Sequence, residues 1–212
     1  MAFWITSRIF QENLTNTVGV IVLVCVKSTS VLHADLDAEI RQLPYAEGAG
    51  FDPERGCLPG TRTNFLNAIS SWVNDPESSQ VLLLFGQAGT GKSSIAHEMA
   101  HRFKAVNRLT TFFSFEHGKS PYLFFTTLTR DLCDRYPAFK KVLKNAIKNN
   151  TSVLNARAYS NLFHCLLRDP LKKLHFIGPI FIIIDALDES GDFHLQSFLA
   201  TRLSELPSNF RI

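Results

Sequence analysis

The chain has 212 residues, 45% hydrophobic and 19% charged, a balance that excludes a wholly disordered chain, reads as globular and allows one substantial core. Lys and Arg exceed Asp and Glu only by 22 to 19, too small a surplus to argue for nucleic acid or an anionic membrane as partner. Cys25, Cys57, Cys133 and Cys165 are scattered, without a CxxC pair or metal-like spacing, and are expected to be reduced thiols in a cytoplasmic protein.

Residues 1–43 are expected to form an N-terminal extension with a short strand and a short helix. The run "VGVIVLVCV" (18–26) is apolar throughout, yet too short to cross about 30 Å of hydrocarbon as a helix. It also lacks the cleavage pattern of a signal peptide. Its length and β-branching predict a buried β-strand. In "HADLDAEIRQL" (33–43), Leu36, Ile40 and Leu43 recur at helical spacing. The Pro- and Gly-rich stretch 44–61 predicts an extended loop that opens a second unit, residues 44–212.

Within that unit, Thr61 is placed to cap a helix over 62–73, where Phe65, Leu66, Ile69, Trp72 and Val73 mark one face. "VLLLF" (81–85) is a continuous apolar run, the pattern of a strand covered on both sides. A Gly-rich turn and a helix over 92–104 follow, then a strand over 109–115. Ser120 is placed to cap a helix from Pro121 to Tyr136. Helices over 138–149 and 157–168, a strand over 179–185 and a helix over 192–206 complete the pattern. Strands alternating with helices predict an α/β sandwich around a mostly parallel sheet.

The turn "GQAGTGKSS" (86–94) fits GxxxxGK[ST] at Gly86, Gly91, Lys92 and Ser93. A backbone wrapping a phosphate must aim successive N–H groups inward. Gly86, Gly89 and Gly91 supply the freedom and clearance, so that the loop Gly86, Gln87, Ala88, Gly89, Thr90 and Gly91 can close round the anion. The helix that begins near Lys92 adds its unpaired amides, including those of Ser93 and Ser94, and its positive dipole end. Lys92 is suited to the β- and γ-phosphates and the Ser93 hydroxyl to Mg²⁺.

A phosphate loop of this kind needs an acid on a neighbouring strand to hold the metal, directly or through water. "FIIIDALDES" (181–190) supplies one: Asp185 ends a buried strand, at the carboxyl edge where α/β sheets place ligands. Asp188 and Glu189 follow closely. Glu189 is the favoured base for an attacking water and Asp188 its support, although sequence does not fix their side-chain directions.

The pair "GQAGTGKSS" and "FIIIDALDES" resembles the NACHT-type members of the STAND class of P-loop signalling NTPases. Ala186 after the Walker B aspartate, with acids three and four positions beyond Asp185, is similar to the NACHT pattern. "CLPGTR" (57–62), the helix ending in Trp72 and "TTFFSF" before a helix resemble a version abundant in fungal proteins. The resemblance spans residues 44–212. It implies a three-layer α/β/α P-loop fold and a switch driven by Mg²⁺ with ATP or GTP. In such a switch nucleotide state controls opening and assembly, as a homo-oligomer or with a signalling partner. It also implies that "PGTR" lies near the base or ribose, which makes Gly60 and Arg62 candidate contacts; on the residues alone, Arg62 can equally be a solvated first-turn residue of the helix that Thr61 caps.

One departure is expected to matter. NACHT modules continue into a strand that carries a sensor residue and lies between the phosphate-loop strand and the Walker B strand, whereas here "SNFRI" (208–212) stands where that strand should begin. The chain therefore resembles a truncated NACHT module, with two buried strands left facing each other, and the run 18–26 is one candidate to fill the gap. Two functions follow: a nucleotide switch with slow NTP hydrolysis, or a nucleotide-binding or assembly module without turnover. A Ras-like GTPase is disfavoured because no [NT]KxD motif occurs. A kinase is weaker still, with no second-substrate site.

Overall fold

The computed structural model describes residue 38 and residues 40–212. The strand expected over 18–26 and Cys25 lie outside the described residues, as does much of the helix expected over 33–43. At its described end, Ile40 and Leu43 are buried against the core.

In chain order the elements are α1 (Thr63–Asn74), α2 (Lys92–Ala105), β1 (Leu109–Ser114), α3 (Leu123–Arg135) and α4 (Pro137–Asn149). Next come α5 (residues 159–171), β2 (Ile180–Asp185), α6 (Phe193–Arg202) and the short β3 (Phe210–Arg211). The middle of α5 is widened to a π-helix over Phe163–Arg168. The widened turns end just ahead of Pro170, which has no N–H to give a regular helix.

The sheet is parallel throughout, in the order β1-β2-β3. Phe112 pairs with Ile183 and Ser114 with Asp185, while Ile180 pairs with Phe210. Period-2 alternation sends successive side chains to opposite faces. Phe181 and Ile183 pack with Leu66, Ile69 and Val73 of α1 and Ile95, Met99 and Phe103 of α2. Ile180 and Ile182 pack with Phe124, Phe125, Leu128 and Leu132 of α3, together with residues of α4, α5 and α6. Helices therefore cover both faces, which makes an α/β/α sandwich, and each fully buried large side chain contributes roughly 1.5–3 kcal/mol. A register irregularity between Leu109 and Thr111 inserts Thr110 and lets Leu109 join the α1/α2 face while Thr111 turns to α3.

Three local expectations are corrected. α1 begins at Thr63, and Arg62 occupies its N-cap position with no side-chain cap; the Thr61 hydroxyl instead donates to the Leu58 carbonyl at 2.6 Å. α3 begins at Leu123, not Pro121, and Ser120 contributes its carbonyl rather than a hydroxyl cap. The segment 81–85 is extended but forms no regular strand. Its ladder is limited to the Leu82 N–H donating to the Ile212 carbonyl at 2.8 Å and the Ile212 N–H donating to the Gln80 carbonyl at 2.9 Å.

Those two bonds fix the place of the 208–212 segment. Phe210–Ile212 lies between β2 and residues 80–82, the position expected of the sensor strand. Past Leu82 no ladder partner is present among the described residues, and Leu83 and Phe85 are 64% and 82% exposed. The membrane question stands where the run lengths put it: among the described residues, no helix is long and apolar enough to cross a bilayer. Cys57 and Cys165 are free thiols, both half-buried.

Candidate functional site

Residues 86–91 form the connection from the extended segment into α2. The loop closes on itself where the Thr90 N–H and hydroxyl both donate to the Gln87 carbonyl, at 3.3 and 2.8 Å. Gly91 precedes α2 with φ +81°, a left-handed conformation that a side chain would strain. At Gly86 the need is clearance: a Cβ there would lie 2.9 Å from the Thr90 hydroxyl. Gln87, Ala88, Gly89 and Thr90 are exposed to solvent, so the concave face of the loop is reachable. The first amide of α2 to find an i−4 partner is that of Ile95, which bonds Gly91 at 3.1 Å. The amides of Lys92, Ser93 and Ser94 are thus the unpaired first turn expected of an anion-binding helix end.

Lys92 folds back over its own loop, its ammonium donating to the carbonyls of Gly86 at 2.9 Å and Gln87 at 3.1 Å. Asp185 is 8% exposed at the end of β2. The Ser93 hydroxyl donates to its Oδ1 at 3.1 Å, joining residues 92 positions apart in sequence. Two hard oxygen donors at that spacing, one anionic, suit a small divalent cation such as Mg²⁺.

Beyond Asp185 the chain turns sharply. Ala186 takes a left-handed φ of +53°, and Leu187–Ser190 forms a 3-10 turn in which the Glu189 N–H bonds the Ala186 carbonyl at 2.9 Å. Asp188 and Glu189 are both exposed in that turn. The turn is held from the β1–α3 loop, where His117 Nδ1–H donates to the Glu189 carbonyl at 2.8 Å.

Arg62 does approach the loop, but through its outer side. Its guanidinium donates to the carbonyls of Thr90 at 2.6 Å and Gly91 at 2.9 Å. Beside it, Gly60, Arg62, Thr63, Asn64 and Phe65 line an open hollow of about 420 Å³.

Sequence reasoning missed His97, one helical turn past Ser93 and only 2% exposed. Its Nδ1 accepts the Asp52 N–H at 2.8 Å, its ring lies 4.7 Å from that of Phe112, and its Nε2 is buried without a partner. Burial, helped by the nearby Arg55, pushes this imidazole below its usual range, against the opposing pull of Asp185 and Asp52. The i+4 spacing from Ser93 was a usable signal, since both then share a helix face.

A family model described as Nephrocystin 3, N-terminal, matches residues 60–212, which takes in the loop, Asp185 and all of the sheet. No curated protein and no solved structure matches the chain. With most of its length covered by that model, the chain belongs to the Nephrocystin 3 N-terminal family.

Proposed function

We propose that the protein binds a nucleoside triphosphate with Mg²⁺ at the loop 86–94 and acts as a NACHT-type switch with slow hydrolysis. The observation that carries this reading is the Ser93–Asp185 contact of 3.1 Å, which joins the hydroxyl of a GxxxxGKS loop to the acid buried at the end of β2. Family membership is consistent with it.

In this reading the loop amides and the first turn of α2 receive the phosphates. Lys92 leaves the carbonyls of Gly86 and Gln87 to neutralise the β- and γ-oxygens, and Ser93 and Asp185 hold the metal. When bound, Mg²⁺ supplies charge neutralisation across the β- and γ-phosphates. Glu189 orients and deprotonates water, and Asp188 supports it. ATP and GTP are both admissible, because no guanine-reading motif is present.

The second reading, binding or assembly without turnover, is favoured by two features. Glu189 is solvent-exposed, and residues 83–85, which lead into the loop, have no ladder partner among the described residues. Calorimetry with MgATP and MgGTP, paired with a phosphate-release assay, separates the two. Lys92→Ala is expected to weaken binding at least a hundredfold under both. Glu189→Gln is expected to keep binding and remove turnover under the first. Binding by the parent protein with no phosphate release selects the second, and no binding of either nucleotide defeats both.

A further inference from the structure

Arg62 stands where the resemblance implies a base or ribose contact, yet its guanidinium is already committed elsewhere. It bridges the Thr90 and Gly91 carbonyls, and it lies so close to Gly91 that a Cβ there would come within 2.6 Å of Nη2. In a loop that turns its N–H groups toward an anion, the carbonyls face outward. A cation gripping two of them from behind restrains both peptide planes and keeps the amides aimed inward.

The local backbone is built to deliver that side chain. The Thr61 N–H and hydroxyl both return to the Leu58 carbonyl, at 3.0 and 2.6 Å, after Pro59 and a left-handed Gly60. Arg62 itself takes φ +57°, a conformation that strains a residue with a Cβ and persists when the surroundings over-determine it. The segment just before the turn lies against α2: a Cβ on Gly56 would lie 2.8 Å from Glu98 Oε2, and the Asp52 N–H donates to His97 Nδ1.

We propose that Arg62 is a positioning residue of the phosphate loop: it holds the loop in its anion-binding shape from the outer side and contributes to triphosphate affinity without touching the base. The proposal rests on the nucleotide reading above, and its test separates the two. The variant is Arg62→Asn, because Asn tolerates the left-handed backbone while its short amide cannot reach the loop. Arg62→Lys keeps the charge but replaces the rigid planar fork with a single ammonium on a flexible stem.

The probes are MgATP and inorganic Mg-tripolyphosphate, which has no base or ribose, each measured by calorimetry. Amide hydrogen exchange of residues 86–91 is followed in the nucleotide-free protein. Arg62→Asn is expected to weaken both ligands by the same factor, about fivefold to tenfold for two solvent-exposed hydrogen bonds, with Arg62→Lys in between. The loop amides are expected to exchange faster in Arg62→Asn before any ligand is added. Loss of ATP binding with tripolyphosphate unchanged overturns the proposal in favour of a base or ribose contact. Unchanged binding of both ligands, or unchanged exchange, also overturns it. If the parent protein binds neither ligand, the nucleotide reading fails, and exchange alone decides whether Arg62 restrains the loop.

Discussion

β2 and the segment 81–85 are both almost wholly apolar, IFIIID against VLLLF, and meet opposite fates. β2 pairs along both edges, with β1 and β3, and is covered on both faces; Ile180, Ile182 and Phe181 are at most 4% exposed. Among the described residues, segment 81–85 has one short stretch of ladder, at Leu82, and two of its five side chains are mostly exposed. The difference is one of neighbours. Apolar content makes a strand worth burying, but the hydrogen-bond ladder and the covering helices decide whether it is buried. For the candidate site this sets a firm half, Asp185 at the end of β2, against a half held by three local devices: the start of α2, the Ser93–Asp185 bond and the Arg62 grip.

The contrast is broken most directly by truncating one residue in each segment. Ile182 is 1% exposed, so Ile182→Ala removes buried methylenes and leaves a cavity, at a cost of about 3 kcal/mol. Leu83 is 64% exposed, and Leu83→Ala is expected to change stability by no more than about 0.5 kcal/mol. Urea denaturation of both variants measures this. A cost at Leu83 approaching that at Ile182 would mean that 81–85 is covered in solution, and the comparison would collapse.

The firm side carries its own titratable weak point. On the α3 face of β1, Asp131 accepts hydrogen bonds from the Thr111 hydroxyl and from the Tyr45 hydroxyl, the latter at 3.0 Å. Burial raises its carboxyl to about 7; Asp134 adds to the rise, and the Tyr45 bond and Arg130 oppose it. An acid raised in the folded state costs nothing below its unfolded pKa of about 3.9. As pH climbs from there to about 7, the unfolded chain ionises first and stability falls, by an amount on the order of 2–4 kcal/mol that then levels off. His97 has the opposite sign, destabilising as pH falls below its ordinary value of about 6.5. The difference between the pH profiles of the parent and Asp131→Asn therefore isolates the carboxyl. It is expected to rise in favour of Asn between pH 4 and 7, and a flat difference would show that Asp131 ionises freely in the fold.

How far the sequence reveals all this differs along the chain. β1, β2 and α2 could be read within a residue or two, because their apolar patterns agree with what surrounds them. The loop motif and Asp185 stand out in the sequence because a phosphate site would demand those residue types at that spacing, and the structure brings Ser93 and Asp185 together. Three features were not. Segment 81–85 has the right composition but depends on a partner that lies 130 residues away, at Ile212. Thr61 and Ser120 are good cap residues, yet their caps were displaced by turns closing through the Leu58 carbonyl and the Ser120 carbonyl. Arg62 is a surface arginine by every local rule, and only the meeting of the 58–62 turn with the loop assigns it two carbonyls.

The smallest predicted effect concerns the joint where the firm strand passes into the exposed acids. Ala186 follows Asp185 with φ +53°, and its carbonyl accepts the Glu189 N–H that closes the 3-10 turn. A left-handed alanine costs about 1–2 kcal/mol, whereas glycine adopts that conformation freely but loses roughly 0.5–1 kcal/mol more backbone entropy on folding. Ala186→Gly is therefore expected to stabilise the protein by about 0.5–1 kcal/mol, measured as a rise in the urea midpoint at constant slope. The opposite result, a loss of stability, would mean that the Ala186 methyl does more by packing than its backbone costs, so that the turn is set by contact with its neighbours. The same variant bears on the site. Under the proposed nucleotide reading, if the left-handed joint alone aims Asp188 and Glu189, glycine leaves nucleotide affinity unchanged, since Ser93 still meets Asp185, and any change falls on turnover, where a turn free to flex holds Glu189 less firmly.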